Sequence, residues 1–272
     1  MKFKKKISCI FISLLLLNCS QTNNKKLPTL PNKTDIEIYK EAVSFSSKGI
    51  HKKSVIEFYK LIENYPYSKL SSHAEIMAAY SLYENNEIKK VIIKLNSFIE
   101  LNPANEYTEY AHYLLAMCYY IQISKEQRDP SVTIEALNSF KTILAKYPNG
   151  KYAKDSILKI QFIENKLALN ELSIGVFYLN NNAPGAAIKR FKSIIVDYKN
   201  SNLIPETLYR LYEAFLMIGL ETEAKKSQAL LIYNFPNSKW KKLSIDLLNS
   251  NKDDEEKGII VSIKDYIKTI FD

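Results

Sequence analysis

The chain is short of glycine, cysteine and histidine, with 6, 3 and 3 of them in 272 residues. Three cysteines are too few for a disulfide framework. His51, His73 and His112 stand far apart and fit no metal-ligand spacing, so no metal is expected. A glycine-rich phosphate loop, a nucleophile elbow and paired catalytic motifs are all missing. Neither an enzyme nor a cofactor site is expected. Cys118 lies in an apolar run beside Met117 and Tyr119 and reads as a packed core thiol, not a nucleophile. No strand-like alternation is sustained, so the fold class is all-α. The formal charge is +9, and leaving out Lys2, Lys4, Lys5 and Lys6 reduces it to +5. That charge reads as scattered, with no basic block on one helix face, so no nucleic-acid partner is expected.

What the chain does have begins with an address. Residues 1–6 are basic, and Ile7 to Leu17 form an apolar run. That run falls short of the roughly 20 residues needed to span a bilayer. It ends in Leu16-Leu17-Asn18-Cys19-Ser20. This resembles a bacterial lipoprotein signal, with Cys19 as the acylated first residue of the mature chain. Asn18 departs from the usual small residue before the cysteine. An ordinary secretory signal or an uncleaved anchor is the alternative. By the same resemblance, Ser20 rather than Asp after the cysteine implies sorting to the outer membrane. Residues 1–18 are thus read as the signal, and 19–33, with Pro28 and Pro31, as a flexible tether.

Residues 34–250 carry a recurrent punctuation: Tyr65-Pro66-Tyr67-Ser68, Tyr147-Pro148-Asn149-Gly150, Tyr198-Lys199-Asn200-Ser201 and Phe235-Pro236-Asn237-Ser238, with a weaker copy at Asn102-Pro103-Ala104. Each copy closes an amphipathic run. Proline cannot continue a helix and disfavours helical backbone in the residue before it. Aligned on these breaks, the first helix of each unit puts Ala42, Ala79, Ala116, Gly175 and Tyr212 in one column. Phe45, Leu82, Tyr119, Tyr178 and Phe215 follow three residues on. The second helix gives Ser54, Val91, Ala136, Ala187 and Ala224, then Phe58, Leu95, Phe140, Phe191 and Gln228. Small against large is what two closely crossing helices need. The pattern resembles tetratricopeptide (TPR) repeats and implies a right-handed superhelix of about five helix-turn-helix units. Tyr212 and Gln228 break their columns, which makes the fifth unit the least regular.

Gly49, Asn85-Asn86, Asn180-Asn181-Asn182 and Gly219 fall between helices, where left-handed backbone is expected. The third unit is interrupted by residues 124–130, with Asp129 expected to cap the next helix and Pro130 to open it. Tyr152 to Lys166 reads as an extra helical stretch running on into Leu167 to Tyr178. Beyond Trp240 the last helix of the stack is expected to reach about Leu248. Residues 251–272 comprise an acidic linker and an amphipathic helix with Ile260, Ile263, Ile267, Ile270 and Phe271 at helical spacing. That helix suits either docking on its own solenoid or binding a partner.

The lipoprotein signal, the proline tether and the five units together resemble the BamD family, lipoproteins of the outer-membrane β-barrel assembly machinery. The resemblance runs from about Cys19 to Trp240. Its most specific stretches are Tyr65-Pro66-Tyr67-Ser68, Phe98-Ile99-Glu100-Leu101-Asn102-Pro103, Arg128-Asp129-Pro130, Tyr147-Pro148-Asn149-Gly150-Lys151-Tyr152 and Ala186-Ala187-Ile188-Lys189-Arg190. It implies a non-catalytic scaffold, lipid-anchored on the periplasmic face of the outer membrane. The implied partners are the POTRA domains of a BamA-type barrel subunit, other assembly lipoproteins and unfolded outer-membrane proteins. Arg190 matches a family arginine that pairs with a BamA carboxylate, and a solvated arginine is the plainer reading. Tyr65 matches an aromatic near the substrate site, and a core anchor is the plainer reading. Glu100 reverses the charge of a basic family residue. Two other function classes stay open: a periplasmic TPR lipoprotein coordinating peptidoglycan synthesis or cell division, and a hydrolase or transglycosylase on a helical superhelix. The hydrolase class lacks room for a catalytic domain after Trp240.

Overall fold

A computed structural model describes residues 33–123 and 130–250, and all the elements among them are helices. In chain order these are α1 (Asp35–Ser47), α2 (His51–Asn64), α3 (Ser71–Glu84), α4 (Ile88–Leu101), α5 (Thr108–Tyr120), α6 (Ser131–Lys146), α7 (Ala153–Asn180), α8 (Pro184–Asp197), α9 (Ile204–Met217), α10 (Glu221–Asn234) and α11 (Lys239–Ser250). Successive helices pack on each other from α1 to α10, and α11 packs on α9 and α10. Stacked helical pairs of this kind form a TPR-like superhelix.

The breaks share one geometry. Tyr65, Asn102, Tyr147, Tyr198 and Phe235 each follow a second helix with φ between −128° and −134° and ψ between 43° and 63°. This non-helical backbone is what a following proline demands, and Tyr198 adopts it before a lysine. The carbonyl of each closing residue then accepts a bond from the backbone N–H three positions on, as in Ser68 to Tyr65 at 3.0 Å and Ser238 to Phe235 at 3.0 Å. Within the units the turns use left-handed residues: Gly49 (φ 73°), Asn86 (φ 61°), Asn182 (φ 56°) and Gly219 (φ 73°). These are the four places that the Gly and Asn signals mark.

The small/large columns are the core. On the second helices the buried positions recur at i, i+4 and i+7: Ser54/Phe58/Leu61, Val91/Leu95/Phe98, Ala136/Phe140/Ile143, Ala187/Phe191/Ile194 and Ala224/Gln228/Leu231. Tyr212 and Gln228 depart from the columns in chemistry but not in place, since both are buried. Gln228 Nε2 donates to the Ser244 carbonyl of α11 at 2.9 Å, so the polar substitution ties the fifth unit to the helix after it.

The extra stretch and Leu167–Tyr178 join in the single 28-residue α7, which starts at Ala153 with Tyr152 as its cap. Its N-terminal half, with Ile163, packs against Phe140 of α6, and its C-terminal half, with Ala168 and Leu172, packs against α8. Buried Ser156 and Gly175 lie nineteen positions apart on α7, where Ala74 and Ala79 lie five apart on α3. The difference is close to four helical turns, so both halves of α7 turn nearly the same face to the core. One expectation is corrected. α6 begins at Ser131, with Pro130 just before it in the cap position rather than as its first residue. Asp129 lies outside the described residues, as do residues 1–32 and 251–272.

Candidate partner-binding surfaces

The sequence places Tyr65 at the first break, and the structure ties it down there. Its hydroxyl donates to the Lys33 carbonyl at 2.8 Å, and its half-buried ring packs on the core of the first unit. Ser71 Oγ donates to the Tyr65 carbonyl at 2.5 Å, and Ser68 Oγ donates to Asp35 Oδ2 at 2.6 Å. Thr34 and Glu37 form a capping box at the start of α1. Two residues on from Tyr65, Tyr67 is 99% exposed. This turn therefore presents a free tyrosine beside an anchored one.

From this edge a row of rings crosses the stack. Tyr39 of α1 hydrogen-bonds His73 of α3 at 2.9 Å, and His73 stacks on Tyr107, at the start of α5, with centroids 4.6 Å apart and 6° between planes. Tyr110 and Tyr113 of α5 then meet Tyr152 ahead of α7, the closer pair stacked at 4.4 Å. All six rings are half-buried. Burial holds His73 below the usual imidazole range, with Glu106 pulling weakly the other way. Burial, and the bond that Tyr113 donates to Asp155 at 2.9 Å, push the Tyr113 phenol up. The sequence columns miss this row because its members sit one face away from the core positions. Its signal is the presence of tyrosines in the opening turns of the first helices.

Charge, scattered along the sequence, separates by helix in the fold. The first helices α1, α3 and α5 carry Asp35, Glu37, Glu41, Glu75, Glu84 and Glu109 against Lys40 alone. The second helices α2 and α4 carry Lys52, Lys53, Lys60, Lys89, Lys90 and Lys94 against Glu57, Glu63 and Glu100. Between α2 and α4 runs a groove of about 540 Å³ floored by Val55 and Leu82 and edged by Ile56, Ile93, Lys52 and Lys94. Lys94 Nζ lies 5.2 Å from the Tyr59 ring centroid, a cation–π distance. Glu100 is exposed near the end of α4.

On α8, Arg190 Nη1 donates to both carboxylate oxygens of Glu171 on α7, at 3.0 and 3.2 Å. Its side chain stays 41% exposed. The bond to Glu171 raises the already high guanidinium pKa. Tyr178 of α7 also bonds the guanidinium, so Arg190 belongs to a polar cluster across one unit while its side chain stays partly exposed. Tyr65 and Arg190 stand in the first and fourth units and do not form one site.

The profile of the YfiO family, described as outer membrane lipoprotein, matches residues 31–231. The chain is 40% identical over 241 residues to the outer membrane protein assembly factor BamD of Rickettsia prowazekii, covering 88% of this chain and 95% of that one. It is 36% identical over 247 residues to the BamD of Caulobacter vibrioides, covering 90% and 80%. The chain belongs to the YfiO outer membrane lipoprotein family. As a YfiO-family chain it is also similar in fold to the TPR2AB domain of yeast Sti1, at a TM-score of 0.41 and 13% identity over 79% of this chain and 84% of that one. No helix among the described residues of this YfiO-family chain is long and apolar enough to cross a membrane. Cys19 lies outside the described residues. Cys118 is buried in α5, and burial pushes its thiol up to about 12, which suits packing and not attack.

Proposed function

We propose that the chain is a non-catalytic scaffold of outer-membrane β-barrel protein assembly, anchored by lipid at Cys19 on the periplasmic face of the outer membrane. Its match to assembly factors named BamD, over 95% and 80% of their length, carries this reading. A stack of helical pairs offers long faces for other chains, and its ring row and charged faces suit recognition.

In this reading the last units dock the POTRA domains of a BamA-type barrel subunit. Arg190 offers a partner carboxylate the donors that Glu171 and Tyr178 leave free; a guanidinium fork suits such a contact. Glu171 restrains the side chain beforehand, so less freedom is lost on docking. The first units receive the targeting strand of an unfolded outer-membrane protein at the Tyr65 turn. Tyr65 holds the turn in place and Tyr67 meets the strand. Other assembly lipoproteins occupy the remaining faces.

Affinity purification of the lipidated chain from detergent-solubilised outer membranes tests this. A BamA-type barrel subunit should be recovered in stoichiometric amount. Recovery of peptidoglycan synthases or division proteins in its place overturns the proposal.

A further inference from the structure

The helix α11 stands where the first helix of a further unit would stand. It follows Phe235-Pro236-Asn237-Ser238, as first helices α3, α7 and α9 follow their breaks. The breaks also fix the register. Eight residues after Pro66, Pro103 and Pro236 come Ala74, Ala111 and Ser244, all buried against the preceding unit. Thirteen residues after them come Ala79, Ala116 and Asn249. Here α11 parts from the rest. The column of Ala42, Ala79, Ala116, Gly175 and Tyr212 is buried throughout the five units, whereas Asn249 is exposed. One turn earlier, Ile245 takes the place held by buried Ile38, His112 and Leu208 and by half-buried Glu75 and Glu171. Ile245 is only half-buried and lines an open cleft of about 500 Å³ with Pro236, Lys241, Lys242 and Asp246. In a complete unit this flank is closed by the second helix, as Phe191 closes over Gly175.

The chain carries a segment that fits. Ile263, Ile267 and Ile270 repeat the i, i+4, i+7 spacing of Ser54/Phe58/Leu61 and of the other four buried triplets. From the first-helix column to the start of the triplet is twelve positions in the first unit, Ala42 to Ser54, and fourteen here, Asn249 to Ile263. A turn two residues longer supplies the difference, and loops of that length are ordinary between helices. Residues 259–271 also match the 13 to 14 residues of α1 to α5. Charge agrees: in an antiparallel pair Asp272 falls toward Lys241 and Lys242 at the start of α11.

We infer that residues 259–271 dock on α11 of the same chain as the second helix of a sixth unit, with Ile270 against Ile245 and Ile267 beside Asn249. The cleft along α11 is then an internal seam and not a partner site. Docking partners of the last units must use other faces, such as that of α8.

Hydrogen–deuterium exchange on the full lipidated chain in detergent tests this. Amides of 259–271 should exchange on the order of 100-fold more slowly than unstructured chain. Ile245→Asp should abolish that protection while α1 to α10 keep theirs. Ile267→Asp should do the same from the other side. A double variant, Ile245→Cys with Ile270→Cys, should form a disulfide within one chain under mild oxidation. Fast exchange of 259–271 in the unaltered chain overturns the inference. So does protection that survives Ile245→Asp, which would place the segment on another surface. A disulfide only between chains assigns the cleft to a second copy and equally overturns it.

Discussion

Gly175 and Phe191 are fitted to each other: a Cβ on Gly175 would lie 2.3 Å from a ring carbon of Phe191. The ring is fully buried and cannot move aside without disturbing Ile194 and Ala187 on the same helix. Gly175→Ala should therefore destabilise the chain by about 1–3 kcal/mol, despite the better helix propensity of alanine. Phe191→Ala should cost about 3–5 kcal/mol through the cavity it leaves. Urea melts followed by circular dichroism check both. A Gly175→Ala chain as stable as the parent would mean that α7 and α8 can separate freely.

That contact also shows what is legible in the sequence. Gly175 and Phe191 fall in the small and large columns of the residue pattern itself, because every column is a close helix crossing and packing tolerates little variation there. Asn86 and Asn182 are legible for a similar reason, since few residues tolerate left-handed backbone. The charge separation is not legible. Acids and bases mix along the chain, and only the division into first and second helices sorts them, with Glu75 of α3 left beside Lys94 of α4. The ring row is hidden likewise: Tyr39, His73 and Tyr107 meet across three helices, and no local period joins them. Arg190 is legible as a residue, but its partner Glu171 is not, being on the helix before.

His73 and His112 make stability depend on pH. Burial is the main cause that lowers both imidazoles from 6.5. A base whose folded pKa is depressed binds fewer protons folded than unfolded. Its stabilising effect is complete above pH 6.5 and is lost as pH falls below 6.5 toward the folded values. Glu75, raised by burial, acts in the opposite sense, losing stability as pH rises from 4.5. The melting temperature should fall between pH 7.5 and 5.5. His73→Gln should flatten that fall, as read by differential scanning calorimetry. An unchanged slope would remove His73 as a cause.

Cys118 should be chemically silent in the folded chain. Its side chain is fully buried, and the thiolate needed for reaction is suppressed by a pKa of about 12. Alkylation by iodoacetamide, followed by mass spectrometry of the peptide containing Cys118, should give modification only at the rate of unfolding. Cys118→Ser should destabilise by about 0.5–2 kcal/mol, because a hydroxyl is buried among apolar neighbours even where it bonds the carbonyl one turn back, as Ser156 does. Rapid labelling under native conditions would contradict the packing of α5 against α4.

Arg190 separates stability from binding. Its pair with Glu171 is partly exposed, and such pairs contribute roughly 0–1 kcal/mol. Arg190→Glu should leave the melting temperature within a few degrees of the parent and weaken capture of the BamA-type subunit at least tenfold. Arg190→Lys keeps the charge but loses the fork, so binding should fall by an intermediate amount. Glu171→Gln should reduce binding only mildly, by freeing the guanidinium. Surface plasmon resonance against isolated POTRA domains reads all three. Equal affinity for the parent and Arg190→Glu would exclude the residue from the docking face.

Tyr65 and Tyr67 divide the work of the first turn. Tyr65→Phe removes the bond to the Lys33 carbonyl but keeps the ring in the core, so it should cost about 0.5–1.5 kcal/mol. The affinity for a labelled peptide carrying an outer-membrane targeting strand should stay the same. Tyr67→Ala alters a side chain that is wholly in solvent, so stability should shift by no more than about 0.5 kcal/mol. Peptide affinity should nonetheless drop severalfold, since an exposed ring contributes mainly to whatever lands on it. Fluorescence anisotropy with the peptide, beside a urea melt of each variant, distinguishes the two. If Tyr67→Ala binds the peptide as the parent does, the strand lies elsewhere, and the row from Tyr39 to Tyr152 becomes the surface to vary next.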